Sequence, residues 1–349
     1  MEKINLSYYR PDSTSRCYSG YWRQGLVLLP ACLFFSCTTP AEHSNPLDPE
    51  SPAFTESATI SGTVTRYYQP FLPLANVEVR LFPGPALVLT NNDGAFSFRG
   101  LAPGVYQLQA RLPRYAADTL VIRLSQRQTL TTTIRLNGLP RVDSVSIFTA
   151  RVSRQPDSTR FFLNVQALTS DPDGPGDVKR VQIVATNFSF ADTLAQVGRG
   201  GVWQRQFSQE ELPPAPLPSW PGHPLHVRVE DFPGQETLAG PFFVVRVVQE
   251  VPEPIAPINN EVIVSSPLRF RWQVVSIPYP YTQEVEIFKI DAGFPSFFTA
   301  IRNIARGTTI AAFPGGLPPS GNYFWTVKIV DEFGNWSRSK EAVFQVQRP

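Results

Sequence analysis

Apolar and polar residues alternate along most of this chain in short runs broken by Gly, Pro and Asp, and no window keeps a 3.6-residue apolar period through several helical turns. That pattern predicts strands. The first body reads as segments 59–65, 77–82, 87–90, 95–101, 105–111, 119–124 and 130–136. Asp93-Gly94 and Pro103-Gly104 mark tight turns between them, because glycine takes the positive φ such turns need. Strands at 142–149, 160–168 and 178–186 open a second body, and a third runs from about residue 252. The last two share an ending. Val227 to Gly234 followed by 242–245 parallels Val327 to Gly334 followed by 343–346, with Asp and Gly recurring at an offset of one hundred residues. With period two, Tyr323, Trp325, Val327 and Ile329 share one face, which Trp272 is expected to meet across a core. The predicted fold class is all-β: three tandem β-sandwich domains at 57–139, 140–250 and 251–349.

The first 56 residues break this pattern. A lead carrying Lys3, Arg10, Arg16 and Arg23 precedes an apolar run from Gly25 to Phe35, too short for a membrane span of about 20 residues. Ser36 and Cys37 follow. The arrangement resembles a bacterial lipoprotein signal peptide, with residues 1–36 removed and Cys37 acylated as the first mature residue. Phe34 and Phe35 depart from the Leu and small residue usual before such a cysteine, so a plain secretory signal, or an uncleaved anchor with a chance cysteine, is the rival reading. Cys32 has only about six apolar residues before it, fewer than a signal needs. Residues 38–56 are rich in proline and poor in apolar side chains, which predicts a disordered tether extending about 3.1 Å per residue. Its Asn45-Pro-Leu-Asp-Pro49 resembles a tract found after the acylated cysteine in outer-membrane lipoproteins of the Bacteroidetes.

Charge and cysteine content narrow the chemistry. The net charge of +2 vanishes once the four basic and two acidic residues of 1–36 are removed, and no basic cluster interleaved with aromatics remains, so nucleic acid is not an expected partner. All three cysteines lie within the first 37 residues, which leaves the body without disulfides or thiolate metal sites. Stability must come from apolar cores.

Ile60-Ser-Gly-Thr-Val64, 74–81, Thr90-Asn-Asn-Asp-Gly-Ala-Phe-Ser-Phe98 and Leu101-Ala-Pro-Gly-Val-Tyr-Gln-Leu108 together resemble the carboxypeptidase regulatory-like domain. The resemblance implies a transthyretin-like sandwich without catalysis of its own. Leu317-Pro-Pro-Ser-Gly-Asn-Tyr-Phe-Trp-Thr-Val327 resembles the fibronectin type III and immunoglobulin-like class, which implies that Tyr323 hydrogen-bonds the corner backbone. In the second body His223 stands where that tyrosine would be.

Asp171-Pro-Asp-Gly-Pro-Gly-Asp177 is the best candidate ion site, because Asp171, Asp173 and Asp177 can give hard oxygen ligands to calcium. Three side chains fall short of the six to eight oxygens calcium takes, and the run also reads as a polar turn. His223 and His226 fall on opposite faces of a strand, which argues against a shared metal. No zincin motif and no Gly-x-Ser-x-Gly elbow occurs, so an enzyme is not expected. Tyr67, Tyr68, Phe71, Trp203, Trp220 and Trp336, with Phe294, Phe297 and Phe298, are candidate loop aromatics for a glycan or protein ligand, or else core under the loops. Asn187-Phe-Ser and Asn335-Trp-Ser match the glycan-acceptor pattern by chance in a bacterial chain. The expected function is a non-catalytic envelope or cell-surface lipoprotein, held to the membrane through Cys37, outer membrane favoured, with an envelope protein or glycan as partner. A carbohydrate-binding protein and an enzyme with an unrecognised carboxylate site are the alternatives.

Overall fold

The computed structural model describes residues 57–348 together with Asp48 and Ser51; Cys37, the leader and nearly all of the 38–56 tract lie outside them. Among the described residues no helix is long and apolar enough to cross a membrane. The architecture is all-β, with sheets packed as sandwiches.

The first sandwich contains β1 (Ala58–Arg66), β2 (Glu78–Phe82), β3 (Leu87–Leu89), β4 (Ala95–Leu101), β5 (Gly104–Arg111), β6 (Asp118–Leu124) and β7 (Thr129–Leu136). Sheets β4-β1-β7 and β3-β2-β5-β6 face each other across Ile60, Val64, Leu81, Phe96, Phe98, Leu108 and Ile134. β1 runs antiparallel to β4 and parallel to β7. Its Gly62 lets those neighbours close in, since a Cβ there would lie 2.4 Å from Thr132 O and 2.7 Å from the Phe96 ring. The turn at Gly94 has the expected positive φ, 71°. Before the next turn it is Gly100, inside β4 at a register shift against β1, that takes the left-handed conformation at φ 72°, while Gly104 opens β5 without positive φ. Tyr106 donates from its hydroxyl to Ala102 O at 2.8 Å, closing that corner.

The second sandwich contains β8 (Arg141–Arg154), β9 (Ser158–Ser170), β10 (Val178–Ala185), β11 (Phe190–Thr193), β12 (Ala195–Val197), β13 (Val202–Ser208), β14 (Pro224–Asp231) and β15 (Glu236–Phe243). Sheets β12-β13-β9-β8 and β11-β10-β14-β15 enclose Leu163, Val181, Ile183, Phe207, Trp220 and Val227. The third contains β16 (Pro254–Ala256), β17 (Glu261–Ile263), β18 (Arg269–Trp272), β19 (Tyr281–Asp291), β20 (Phe294–Ala305), β21 (Ile310–Ala312), β22 (Gly321–Asp331), β23 (Trp336–Arg338) and β24 (Ala342–Val346). Sheet β16-β18-β21 packs on the sheet built from β20, β19, β22, β23 and β24. Trp272 meets Trp325 edge to face at 6.5 Å, and Phe270, Tyr323 and Phe344 complete the core. Ile329, on the same strand face, packs instead into a smaller cluster with Val248, Ile277 and Tyr281. Tyr323 is fully buried and donates to Pro319 O at 2.9 Å, the expected corner bond.

The repeated Asp-to-Gly segments form one turn twice. Gly234 N donates to Asp231 O and Gly334 N to Asp331 O, at 3.2 and 3.1 Å, and both glycines have positive φ. Chain locality does not reveal the largest feature. β8 pairs in parallel with β23, Ala150 opposite Trp336 and Val152 opposite Arg338, so the second and third sandwiches share one ten-stranded sheet.

Candidate functional site

The first and second sandwiches meet where the β1–β2 loop, the β7–β8 linker, the β9–β10 loop and the β14–β15 turn converge. The β9–β10 loop folds through two successive turns, Gly174 N to Asp171 O and Asp177 N to Gly174 O, each 3.0 Å, which bring its carboxylates together. Asp171, Asp173 and Asp177 each place an oxygen within 4.8 Å of the others. Gly138 of the linker lies against this loop; a Cβ there would come within 2.7 Å of Asp171 Oδ1 and 2.9 Å of Pro172 Cδ.

Four side chains share one design. Asp171 Oδ1 accepts from Asp173 N at 2.7 Å, Asp173 Oδ2 from Gly138 N at 2.6 Å, and Asp177 Oδ1 from the Tyr68 hydroxyl at 2.6 Å. Asn137 donates from Nδ2 to Asp231 Oδ2 at 2.6 Å. The remaining oxygen of each, Asp171 Oδ2, Asp173 Oδ1, Asp177 Oδ2 and Asn137 Oδ1, is buried without a hydrogen-bond partner. Leaving such atoms unpaired costs about 1–3 kcal/mol each. Asp231, itself fully buried, accepts from Gln235 N through its other oxygen.

The electrostatics are unbalanced. None of these four aspartates has an ion-pair partner among the described residues; the nearby Arg66 donates to Pro172 O at 3.0 Å instead. Burial pushes the Asp171 carboxyl up to about 6, opposed by the Asp173 N–H and reinforced by Asp177, Asp173 and Asp231. Asp177 is raised too, by burial first and by Asp231 and Asp173, against the lowering bond from Tyr68. Tyr68 is raised by burial and by that bond to Asp177. Carboxylates raised this way hold charge at a cost in the folded state.

The second joint solves a related problem differently. Asp331 accepts from Phe333 N, Asn335 N and Asn335 Nδ2, while Arg246 Nε lies 3.4 Å from its Oδ2. The Arg246 guanidinium also sits 4.1 Å from the Tyr279 ring centre and 5.1 Å from that of Phe333, and binds Glu332 at 2.9 Å. Asn335 Oδ1 accepts from Thr149 N at 2.8 Å. Asn335 is thus buried and committed to this network, which closes it to glycan attachment.

Two of the expected ligand-binding aromatics are core residues. Trp203 and Trp220 are not loop surfaces: Trp203 faces inward from β13, and Trp220 is fully buried against Phe188 at 4.6 Å. The apolar cost of exposing an indole drew both into the core. Phe71 lies under the Arg135 guanidinium at 4.2 Å and Trp336 under Lys328 Nζ at 4.9 Å. Tyr67 and Tyr68 are part-exposed but stand edge to face at 85°. Phe297 is edge-on to Phe288, Phe298 stacks on Phe313, and Phe294 is 78% exposed. His223 Nδ1 is 3.2 Å from Asn187 Nδ2, and His226 lies on β14. A groove of about 780 Å³ runs between β8 and β24, but its Asp157 and Glu341 are paired with Lys340 and Arg338.

The sequence identified the three loop aspartates, not what completes them. Asn137 and Gly138 read as linker, Asp231 as a turn, and Tyr68 as a ligand-stacking ring. Only Asp231 carried a signal, its recurrence at Asp331.

Residues 59–137 match the family model described as the carboxypeptidase regulatory-like domain. No curated protein matches the chain. Among solved structures, the FN1–FN3 domains of chicken CNTN1 are 12% identical at TM-score 0.33, with 79% of this chain and 92% of that one covered. BcpA, the major pilin subunit of Bacillus cereus, is 11% identical at TM-score 0.29, covering 82% and 99%. A chain of a type II cohesin–X-dockerin complex from Acetivibrio cellulolyticus is 18% identical at TM-score 0.21; the match spans 23% of this chain and 58% of that one. At such scores these likenesses carry no functional argument. The sheets and the family match together make this a multi-domain β-sandwich protein whose segment 59–137 is similar to the carboxypeptidase regulatory-like domain.

Proposed function

We propose that the chain is a non-catalytic lipoprotein of the bacterial envelope, held to the membrane, the outer membrane by preference, through acylated Cys37, and presenting its sandwiches as structural or binding modules. The observation that carries the structural part is the sheet shared by β8 and β23. Tandem domains joined only by a linker move independently by default, whereas a backbone ladder and the buried Asp331 network fix the orientation of two sandwiches. A spacer or presenting stalk needs that property; a catalyst does not. The rings at 85° on Tyr67 and Tyr68 give no flat platform for a sugar, so the glycan reading is not favoured.

The test is metabolic labelling with a palmitate analogue in cells making wild type and Cys37→Ala, with protease added to the intact cells. Label is expected in wild type alone. Label persisting in Cys37→Ala overturns the anchor, and shaving of intact cells reports the side on which the sandwiches stand.

A further inference from the structure

We propose that the joint between the first and second sandwiches is a calcium site, with Asp171, Asp173, Asp177 and Asn137 as its protein ligands. The inference does not depend on the anchor. It rests on two independent observations. One is the aspartate cluster itself, its oxygens within 4.8 Å of one another. The other is Asn137, only 7% exposed, which arrives from the preceding sandwich with its Oδ1 buried and unpartnered. Its Nδ2 is held by Asp231, and the next residue's N–H is held by Asp173, so the side chain is fixed at the cluster.

Each ligand is positioned by a bond on its other polar atom: the Asp173 N–H for Asp171, the Gly138 N–H for Asp173, the Tyr68 hydroxyl for Asp177, and the Asp231 carboxylate for Asn137. Outer-shell bonds of this kind orient metal ligands and leave one lone-pair face for the ion. The donor set is oxygen throughout, which suits a hard cation and excludes a preference for zinc or copper. Magnesium keeps most of its water and demands a regular octahedron, while calcium accepts irregular protein oxygens and takes six to eight of them. Four come from these side chains; water, backbone oxygens or Asp231 supply the others.

The charge balance points the same way. At the second joint the buried Asp331 meets a cation the protein carries, Arg246. At the first, the matching Asp231 meets the neutral Asn137 and adds its charge to that of Asp171 and Asp177, with no ion pair among the described residues. A dication supplies the missing charge. Because its ligands come from both sandwiches, binding ties the β7–β8 linker to the β9–β10 loop and stiffens the joint.

The experiment uses the soluble mature chain, stripped with EDTA and titrated with CaCl2 by calorimetry, with thermal unfolding and Tyr-sensitised Tb3+ emission as further readouts. Wild type is expected to bind one Ca2+, to unfold at a midpoint that rises with Ca2+ concentration, and to show Tb3+ emission that Ca2+ competes away. Asp173→Asn and Asp177→Asn are expected to lose the midpoint shift, while Asp291→Asn, at the exposed β19–β20 turn of the third sandwich, keeps it. Should the ligand variants fail to fold, Tyr68→Phe retains every ligand oxygen and is expected to bind about tenfold more weakly. The proposal is overturned by wild type that takes up neither Ca2+ nor Tb3+ at millimolar concentration, by Mg2+ binding as tightly as Ca2+, or by folded Asp177→Asn and Tyr68→Phe proteins that bind as wild type does.

Discussion

Gly138 and Arg246 show how much of this molecule's organisation rests on single positions at the joints. Gly138 has no room for a side chain, since a Cβ would press on Asp171 Oδ1 and Pro172. Overpacking of this kind costs about 1–3 kcal/mol, so Gly138→Ala is expected to lower the urea midpoint of the first transition and to displace the linker from the loop. An unchanged midpoint would mean that the two segments part freely. Arg246 carries a different burden, the neutralisation of an Asp331 side chain with no exposure at all. Removing one partner of a buried pair costs about 3–5 kcal/mol because the other charge is left unpaired. Arg246→Met should therefore destabilise strongly, and Arg246→Met with Asp331→Asn should recover much of the loss; denaturant titration of the two proteins decides. At this scale the sequence was informative wherever residue type implies conformation. Asp93-Gly94, Asp231 to Gly234 and Asp331 to Gly334 all form the turns their residues predict. Asn137 was illegible, because an asparagine after a strand looks the same whether its side chain faces water or a buried carboxylate.

Strands and their corners were legible for the same local reason. Every strand of the first sandwich falls within a few residues of its alternating segment, since alternation encodes which face is buried and both faces of a sandwich need it. The Tyr323 corner followed from its motif, and Tyr106 makes the same bond four residues back, to Ala102, without having been singled out. Each hydroxyl bond is worth about 0.5–1.5 kcal/mol net. Tyr323→Phe and Tyr106→Phe are each expected to lower stability by roughly 1 kcal/mol, read as a shift in denaturation midpoint with an unchanged slope. A tryptophan's location was not readable from its neighbours: Trp203 and Trp220 stand among polar and proline residues, yet they fill the second core. Side-chain volume decided that, because a sandwich interior must be filled and its loops can fold over a large ring.

Among the described residues there are three principal apolar cores but two kinds of joint. The first sandwich meets the second through polar side chains and an acidic cluster, while the second and third are continuous through β8 and β23. The second and third are therefore expected to unfold together by calorimetry, apart from the first. Arg338→Pro, which removes a β23 N–H on the side that faces β8, should split their shared transition in two. Separate transitions for the second and third sandwiches in wild type would show the shared sheet to be energetically slack. Composition, alternation and turn residues were enough to specify the all-β class, a body without cysteine, and the loop that brings three aspartates together, because each depends on residues near in sequence. The pairing of Ala150 with Trp336, the neutralisation of Asp331 by Arg246, and the arrival of Asn137 and Tyr68 at the aspartates depend on segments far apart in the chain. Only packing the sandwiches on one another could bring those groups within bonding distance.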